Sequence, residues 1–394
     1  NSMKKVLIRA PLLSQSGYGV HSRQIFRFCE AQKGWSLTTQ ILPWGITPWN
    51  ISPDAEGGIY NRAMSLSSPI SEKHDISFQI QLPHEWDASL AKFNVGITAG
   101  VETNKCSAEW VDAHINKMDL VIVPSRFTKK TLENSATVKL NTPIVVLPEA
   151  YFSELLDKPT HDPLENLPTD KNFLMVGTLT SDDAAADRKN LASSIIWFLK
   201  AFEGKKDVGL VVKTSRGRDT TIDRDLVRKM MQSVKKASNV DSERCPKIYM
   251  LHGSMTREEM RNLYKSKKLC AYASATRGEG FGLPLLEAAV SEIPIVATDW
   301  SAHTEFLSGE SFLAAKYDIK PIASSRVDGK IFVKDSCWAN PREGNFSRKM
   351  KLAVSDNKKF RKAAKELSSS LQKSHSLENL QEKFEEIIRE YIQK

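Results

Sequence analysis

The sequence of 394 residues has no long hydrophobic run, no paired cysteines and no internal repeat. A helix that crosses a bilayer needs about 20 consecutive apolar residues, and no segment approaches that length. The five cysteines are scattered and odd in number, which argues against a disulfide framework or a zinc site. No secretory signal opens the sequence. We therefore expect a globular, cytoplasmic protein whose thiols are reduced.

The charge of the chain is unbalanced, with 56 Lys and Arg residues against 47 Asp and Glu residues. A net charge of +9 fits an anionic small molecule, an anionic membrane surface or nucleic acid. Much of the excess lies in residues 224–236 and 348–365, where solvated helix faces explain it equally well. Neither stretch has the interleaved aromatic residues of a base-stacking surface. Peripheral contact with an anionic membrane and binding of nucleic acid both stay open.

Short apolar runs alternate with helical patterns in both halves of the chain. This alternation predicts an α/β fold with two doubly wound, Rossmann-like domains, in which ligands bind beyond the carboxyl ends of the strands. A proline-rich and acidic segment at 151–170 separates the halves, and we place the domain boundary between residues 158 and 159. The predicted strands are residues 6–8, 37–42, 76–82, 93–98, 120–123 and 144–147 in the first half, and 172–177, 209–213, 248–252, 269–273 and 295–297 in the second.

A glycine-rich loop at residues 277–287 carries two carboxylates, Glu279 and Glu287, eight positions apart. Gly280 and Gly282 allow a ligand to approach the main chain closely. The free amides of the helix that begins near Pro284 favour a phosphate. A nucleotide sugar suits this arrangement, with its diphosphate over the amides, its sugar at Glu279 and its ribose at Glu287. The alternative is that Glu279 caps the helix and Glu287 lies on a solvated face.

The run E-G-F-G-L-P-L-L-E resembles the glutamate-x7-glutamate motif of retaining glycosyltransferases of GT-B family four, also described as glycosyl transferases group 1. Glu279, Phe281, Gly282 and Glu287 match that motif. The resemblance implies two facing Rossmann-like domains: an acceptor domain at 1–158 and a donor domain at 159–375. It also implies that a terminal helix at 376–394 packs back on the first domain. The donor-binding residues expected on this basis are Gly17, Gly19, Gly280, Phe281, Gly282, Leu283 and Glu287.

The activity implied by the resemblance is transfer of a hexosyl group, with retention, from a UDP- or GDP-sugar. The acceptor would be a glycan, a lipid-linked glycan or another hydroxyl compound, and no cofactor would be needed. A non-catalytic nucleotide-sugar-binding protein of the same fold and a glycosyltransferase acting on a nucleic-acid base are the alternatives. An NAD enzyme is disfavoured because neither half has the complete G-x-G-x-x-G fingerprint.

A basic pair, Arg188 and Lys189, lies where a helix is predicted to begin. Cations at that end oppose the helix dipole, and a bound anion would remove the conflict. In the family that this chain resembles, an arginine and a lysine are usual in this region. Lys189 matches the lysine, whereas Thr178 stands in the arginine's place and Arg188 is the candidate replacement. Together with Glu279 and Glu102, this pair makes up the predicted catalytic set.

The first half carries the remaining candidates. Gly17 and Gly19 form a second glycine-rich loop after the first strand, although a plain strand-to-helix turn explains them as well. The resemblance places the loops that carry His84, Glu102 and Thr103 beside the acceptor. The alternative for each of these polar residues is a structural hydrogen bond.

Near the end of the second half, the family often has a glycine pair before a glutamate. Glu305 matches that glutamate, whereas Ser301 and Ala302 replace the glycines.

Asp223-Arg-Asp225 has the aspartate-x-aspartate form that binds metal in the other main glycosyltransferase fold. The pair lies at the start of a predicted helix, where carboxylates stabilise the helix dipole. We therefore predict that no metal is needed, and that adding EDTA leaves the release of nucleotide from a sugar donor unchanged. Loss of turnover in EDTA, with recovery on adding manganese, would show this prediction to be wrong.

Overall fold

The computed structural model describes residues 3–179 and 183–393, which form two compact units. Unit 1 comprises the described residues up to 150 together with 328–333 and 377–393, and unit 2 comprises those in 151–327 and 334–376. The predicted boundary at 158/159 remains a prediction; it follows a single 3-10 turn, Ser153–Leu156, whose Leu155 packs in the core of unit 2. Lys394, the end of the predicted terminal helix, lies outside the described residues.

Unit 1 is built on a six-stranded parallel sheet in the order β2-β1-β3-β4-β5-β6. Its strands are β1 (Lys4–Ala10), β2 (Trp35–Ile41), β3 (His74–Ile80), β4 (Ala91–Ile97), β5 (Leu120–Val123) and β6 (Ile144–Val146). Its helices are α1 (Gly17–Glu30), α2 (Ile59–Ser65), α3 (Arg126–Asn134) and, from the end of the chain, α10 (Leu377–Ile387).

Unit 2 has a second six-stranded parallel sheet in the order β12-β11-β10-β7-β8-β9, and a separate antiparallel pair, β13 and β14. Its strands are β7 (Lys171–Val176), β8 (Val208–Thr214), β9 (Lys247–His252), β10 (Leu269–Ser274), β11 (Ile295–Thr298), β12 (Leu313–Ala315), β13 (Tyr317–Pro321) and β14 (Cys337–Pro341). Its helices are α4 (Leu191–Ala201), α5 (Thr221–Ala237), α6 (Arg257–Tyr264), α7 (Leu283–Val290), α8 (Glu343–Ser355) and α9 (Asn357–Ser374).

Burial explains why these segments form central parallel strands. Every residue of β5 and of β8 is buried, as expected for strands that are covered by helices or loops on both faces. The apolar runs in the sequence come from this two-sided burial. The predicted α/β fold of two Rossmann-like domains is confirmed. Among the described residues, no helix is both long and apolar enough to cross a membrane.

The last helix of the chain packs in unit 1. Phe384 of α10 is fully buried, and its ring lies 5.4 Å from that of Phe28 and 5.7 Å from that of Phe78. Leu380 and Ile388 are buried on the same face. The apolar spacing of the final segment therefore corresponds to core packing in this unit.

The structure differs locally from the predicted elements. The segment between β4 and β5 is irregular, with a π-helical turn at Trp110–His114 and a 3-10 turn at Ile115–Lys117. α4 begins at Leu191, so Arg188 and Lys189 precede the helix and do not lie in its first turn. The strands β12, β13 and β14 were not predicted, because each has at most five residues and little apolar periodicity.

Replacing Phe384 tests the packing of the terminal helix. Phe384→Ala should lower the free energy of unfolding by about 3–5 kcal/mol, because a large buried ring is lost and a cavity is left. The neighbouring residue Lys383 is exposed, and Lys383→Ala should change that free energy by about 0.5 kcal/mol or less. Urea unfolding measures both values. Equal losses of unfolding free energy in the two variants would contradict the packing of Phe384 in the core of unit 1.

Candidate active site

The candidate site in unit 2 lies where the strand order reverses. The chain forms β7, β8 and β9 in sequence on one side, and β10 then pairs with β7 on the other side. Reversal of this kind opens a crevice at the carboxyl ends of the two central strands. Gly177 directly follows β7, and the loop at 275–282 directly follows β10. The glycine-rich motif is therefore placed where α/β sheets bind their ligands.

A buried carboxylate lies between two cations in this crevice. Glu279 is 5% exposed. Its Oε1 atom lies 2.7 Å from Nζ of Lys189, and its Oε2 atom lies 2.9 Å from Nη1 of Arg188. Arg188 also donates from Nη1 to the carbonyl oxygen of Gly278 at 2.9 Å. The structure thus brings together three residues that the sequence proposed from separate segments.

The cations determine the ionisation of the buried carboxylate. Burial by itself would raise the pKa of Glu279, but the charges of Lys189 and Arg188 outweigh burial and lower the pKa to about 2. Glu279 is therefore ionised at neutral pH. One negative charge faces two positive charges, so the trio keeps a net positive charge toward the crevice. Lys189 and Arg188 are each about one-fifth exposed, which leaves them accessible to an anion.

Helix α7 begins beside the trio with a residue that must be glycine. Gly282 is its N-cap with φ of +93°, and a Cβ atom there would lie 3.0 Å from Cβ of His303. As at every helix start, the first amides of α7 lack partners within the helix, and amides in this position bind anions in other proteins. Leu283, the first residue of α7, is half-buried.

Phe281 packs inside unit 2. Its ring lies 5.4 Å from that of Phe306 and 6.2 Å from that of His375, and it is 6% exposed. Its position indicates that the aromatic residue of the motif anchors the loop between Glu279 and α7. Gly280 connects this anchor to the buried carboxylate.

Glu287 has a different environment from Glu279. It lies in the second turn of α7, half-buried, and its Oε2 accepts a hydrogen bond from the Tyr264 hydroxyl at 2.9 Å. Burial raises the pKa of Glu287 to about 7, although the bond from Tyr264 and the charge of Arg257 oppose the rise. The two glutamates of the motif therefore differ in charge near neutral pH: Glu279 is fixed as a carboxylate, and Glu287 titrates.

Arg277 is a structural residue of the site that the sequence analysis did not identify. It is 8% exposed, and burial lowers its pKa. Its guanidinium donates to the carbonyl oxygens of Asp187 at 3.1 Å and Ala184 at 3.0 Å, and to Oδ1 of Asn190 at 3.1 Å. Another bond reaches the side chain of Asn340 in β14. Arg277 thereby holds the loop that carries Arg188 and Lys189 against the loop after β10.

The same loop is closed by its own side chains. Asp187 is fully buried, and its Oδ2 accepts from the backbone N–H of Leu191 at 2.9 Å. Asn190 takes the left-handed conformation with φ of +54°, which turns the chain into α4. Lys189 also packs beside Gly177, where an added Cβ would lie 3.6 Å from its Cγ. The basic pair is consequently held by a folded turn before the helix.

The candidates in unit 1 lie at the carboxyl edge of its sheet. Gly17 and Gly19 open α1, where Ser16 is the N-cap and its hydroxyl accepts from the amide of Gly19 at 3.1 Å. A Cβ at Gly19 would lie 1.9 Å from the carbonyl oxygen of Ser14, so steric contact accounts for this glycine. Nothing lies within 4 Å of the position of a Cβ at Gly17.

The three acceptor-side candidates have different surroundings. His84 is exposed and stacks on Trp110, with 6.0 Å between ring centroids. Glu102 is half-buried, close enough to Tyr18 to raise the pKa of that hydroxyl, although burial is the larger cause. Thr103 is fully buried, and its hydroxyl donates to the carbonyl oxygen of Lys105 at 2.7 Å. Thr103 thus stabilises its own loop.

Tyr18 is a further residue of this edge that sequence reasoning missed. Its hydroxyl lies 3.1 Å from Oγ1 of Thr98 and accepts from the amide of Ala99 at 3.1 Å. Its ring stacks on Trp44 at 4.0 Å. The residue follows Gly17 directly, and its position between two glycines at a helix start was the only available signal.

Asp223 has a structural role in the helix that carries the aspartate-x-aspartate run. Its backbone N–H donates to Oγ1 of Thr220 at 3.1 Å, and its carboxylate accepts from the backbone N–H of Thr220 at 3.2 Å. This reciprocal cap satisfies the start of α5. Within residues 3–179 and 183–393, no group of three or more His, Cys, Asp or Glu residues is arranged to hold a metal ion.

Known proteins share both the fold and part of the sequence. Residues 241–325 match the family model described as "Glycosyl transferases group 1". A glycosyltransferase from Rickettsia africae ESF-5 has a similar structure, with a TM-score of 0.65 and 12% identity over 100% of both chains. Sucrose-phosphate synthase from Thermosynechococcus elongatus has a TM-score of 0.62 and 12% identity over 98% of each chain. None of the curated proteins has a sequence that matches this chain.

A third similar structure was determined with a ligand. It is the E. coli protein described as trehalose-6-phosphate bound with UDP-2-fluoro glucose, with a TM-score of 0.61 and 12% identity over 98% of this chain and 99% of that chain. The fold is therefore that of the GT-B class, and the sequence of residues 241–325 is similar to glycosyl transferases group 1. The matched segment, 241–325, includes the Glu279–Glu287 motif.

The raised pKa of Glu287 predicts how stability depends on pH. The folded protein retains a proton on this carboxyl that the unfolded chain releases near pH 4.5. The free energy of unfolding should therefore fall as pH rises from about 4.5 through about 7, by on the order of 2 kcal/mol from this group. Glu287→Gln mimics the neutral form and should remove this dependence.

Urea unfolding between pH 5 and pH 8 measures the difference. Glu310 is exposed, and Glu310→Gln serves as the matched control that keeps the wild-type dependence. Glu279 contributes to the pH dependence of stability with the opposite sign. The stability that its lowered pKa provides is lost only as pH falls below about 4.5 toward 2. It does not interfere within this window. If the free energy of unfolding of Glu287→Gln depended on pH as it does in wild type, the raised pKa of Glu287 would be contradicted.

Proposed function

We propose that this protein is a glycosyltransferase that transfers a hexosyl group from a UDP- or GDP-sugar to a hydroxyl acceptor, with retention at the anomeric carbon and without a metal ion. The observation that carries the proposal is the buried Glu279 carboxylate between Lys189 and Arg188 at the start of α7. The glycosyl transferases group 1 match over 241–325 supports a nucleotide-sugar donor. The ligand of the similar E. coli protein, UDP-2-fluoro glucose, supports UDP-glucose as the first donor to test.

The leaving group determines what the two cations do. When the bond from the sugar to the diphosphate breaks, negative charge develops on the phosphate oxygens. Lys189 has three donor hydrogens and Arg188 has five, so both can contact phosphate while they retain Glu279. The first amides of α7 would add donors from the backbone. Donors fixed in place before the reaction stabilise this charge without reorganisation.

The two glutamates would hold the uncharged parts of the donor. The Glu279 carboxylate would accept hydrogen bonds from sugar hydroxyls and thereby orient the anomeric carbon. Ionised Glu287 would accept from the ribose hydroxyls, so donor affinity should rise as pH increases through about 7. In unit 1, His84 and Glu102 are the proposed contacts to the acceptor, and Gly17 leaves open space for a ligand to approach the backbone. No protein nucleophile is part of the proposal.

Release of free nucleotide from UDP-glucose and GDP-mannose, with and without glycan acceptors, tests the proposal. Lys189→Ala should lower kcat by about 100-fold or more, because a preorganised donor to the leaving group is removed. Lys206→Ala is the matched control, since Lys206 is exposed in the turn before β8, and it should keep wild-type turnover.

Two outcomes would count against the proposal. Stabilisation by nucleotide sugars without any nucleotide release would indicate a binding protein of the same fold. Wild-type turnover in Lys189→Ala would show that the trio does not serve the leaving group.

A further inference from the structure

Ser301 has a backbone conformation that ordinarily belongs to glycine. It lies after β11 with φ of +90° and ψ of −163°. A side chain is disfavoured in this region, and residues with this strain persist only where their surroundings hold them, often at functional sites. Ser301 is 6% exposed, so its side chain has little contact with solvent. A serine in this conformation needs a specific partner.

The partner is the backbone of Glu279. The N–H of Glu279 donates to Oγ of Ser301 at 2.8 Å. The N–H of the next residue, Ala302, donates to the carbonyl oxygen of Glu279 at 3.3 Å. Residues 301 and 302 therefore bind both main-chain polar groups of the residue whose carboxylate lies between the two cations.

His303 determines the direction of the serine hydroxyl. It is fully buried, with Nε2 at 2.5 Å from the carbonyl oxygen of Thr298 and Nδ1 at 3.4 Å from Oγ of Ser301. A carbonyl oxygen only accepts, so Nε2 carries the hydrogen. Burial lowers the pKa of His303, which leaves Nδ1 as an acceptor for the serine O–H. The oxygen of Ser301 is then free to accept from Glu279.

We propose that Ser301 is a positioning residue for Glu279. Its hydroxyl, oriented by His303, fixes the main chain of Glu279. The carboxylate is thereby kept at hydrogen-bond distance from Arg188 and Lys189. Ser301 acts through Glu279 and contacts no substrate itself. The expected effect on turnover rests on the proposed function, whereas the effect on the position of Glu279 does not.

Two substitutions separate the strain from the hydrogen bond. Ser301→Gly removes both, and Ser301→Ala removes the hydroxyl but keeps the Cβ atom that causes the strain. Ser301→Gly should therefore unfold at a higher urea concentration than Ser301→Ala. Both should lower kcat by about 10- to 100-fold, with a smaller change in KM for the donor, because a misplaced Glu279 orients the sugar poorly. Activity would then not follow stability.

Asn239 provides a control for strain relief away from the site. It is exposed after α5 and has φ of +57°. Asn239→Gly should keep wild-type kcat. If Ser301→Gly also keeps wild-type kcat, or if the kcat values of the two Ser301 variants follow their stabilities, the positioning role is overturned.

The positioning role of Ser301 can be tested even if the wild-type protein releases no nucleotide from UDP-glucose or GDP-mannose. That result would overturn the proposed function alone. The position of Glu279 is then read from the 13C chemical shift of its carboxyl carbon at pH 7, assigned by comparison with Glu279→Gln. A shift that moves in both Ser301→Ala and Ser301→Gly supports the positioning role, and an unchanged shift in both overturns it.

Discussion

The candidate site depends on keeping one carboxylate ionised inside the protein. Glu279 is nearly inaccessible to water, and an unpaired charge at that depth would be strongly unfavourable. Lys189 and Arg188 make it favourable, and they come from a segment 90 residues earlier in the chain. The loop after β10 therefore needs the loop after β7 to keep Glu279 ionised. The site is a consequence of how the sheet of unit 2 is assembled.

The neighbouring residues serve the same requirement in different ways. Asp187 and Asn190 fold the turn that carries the basic pair, and Arg277 donates a hydrogen bond to the backbone of this turn. Gly282 lets α7 begin immediately after the buried carboxylate. Glu287, one turn further on, has no lysine or arginine within ion-pair distance in the described structure and consequently titrates near neutral pH. Two acids of one motif thus acquire different ionisation from their surroundings alone.

Much of the fold could be predicted because strands buried on both faces leave continuous apolar runs in the sequence. The short strands β12 to β14 leave no such runs. For the site, Glu279, Arg188 and Lys189 were each proposed from a local pattern, but the ion pairs join residues too distant in sequence for any pattern to pair them. The start of α4 was misplaced because the aspartate cap and the left-handed Asn190 form a separate turn. Arg277 was overlooked for the same reason as the ion pairs: its partners lie in two remote segments, the loop before α4 and β14.

Arg277 also connects the antiparallel pair β13 and β14 to the candidate site. β14 is bound by the guanidinium through Asn340, and the N–H of Ala339 donates to the carbonyl oxygen of Arg277 at 2.9 Å. This ribbon lies outside the six-stranded sheet, yet it binds the residue that holds the loop before α4 against the loop after β10. Because β14 ends at Pro341 and α8 begins at Glu343, this contact also fixes where α8 begins.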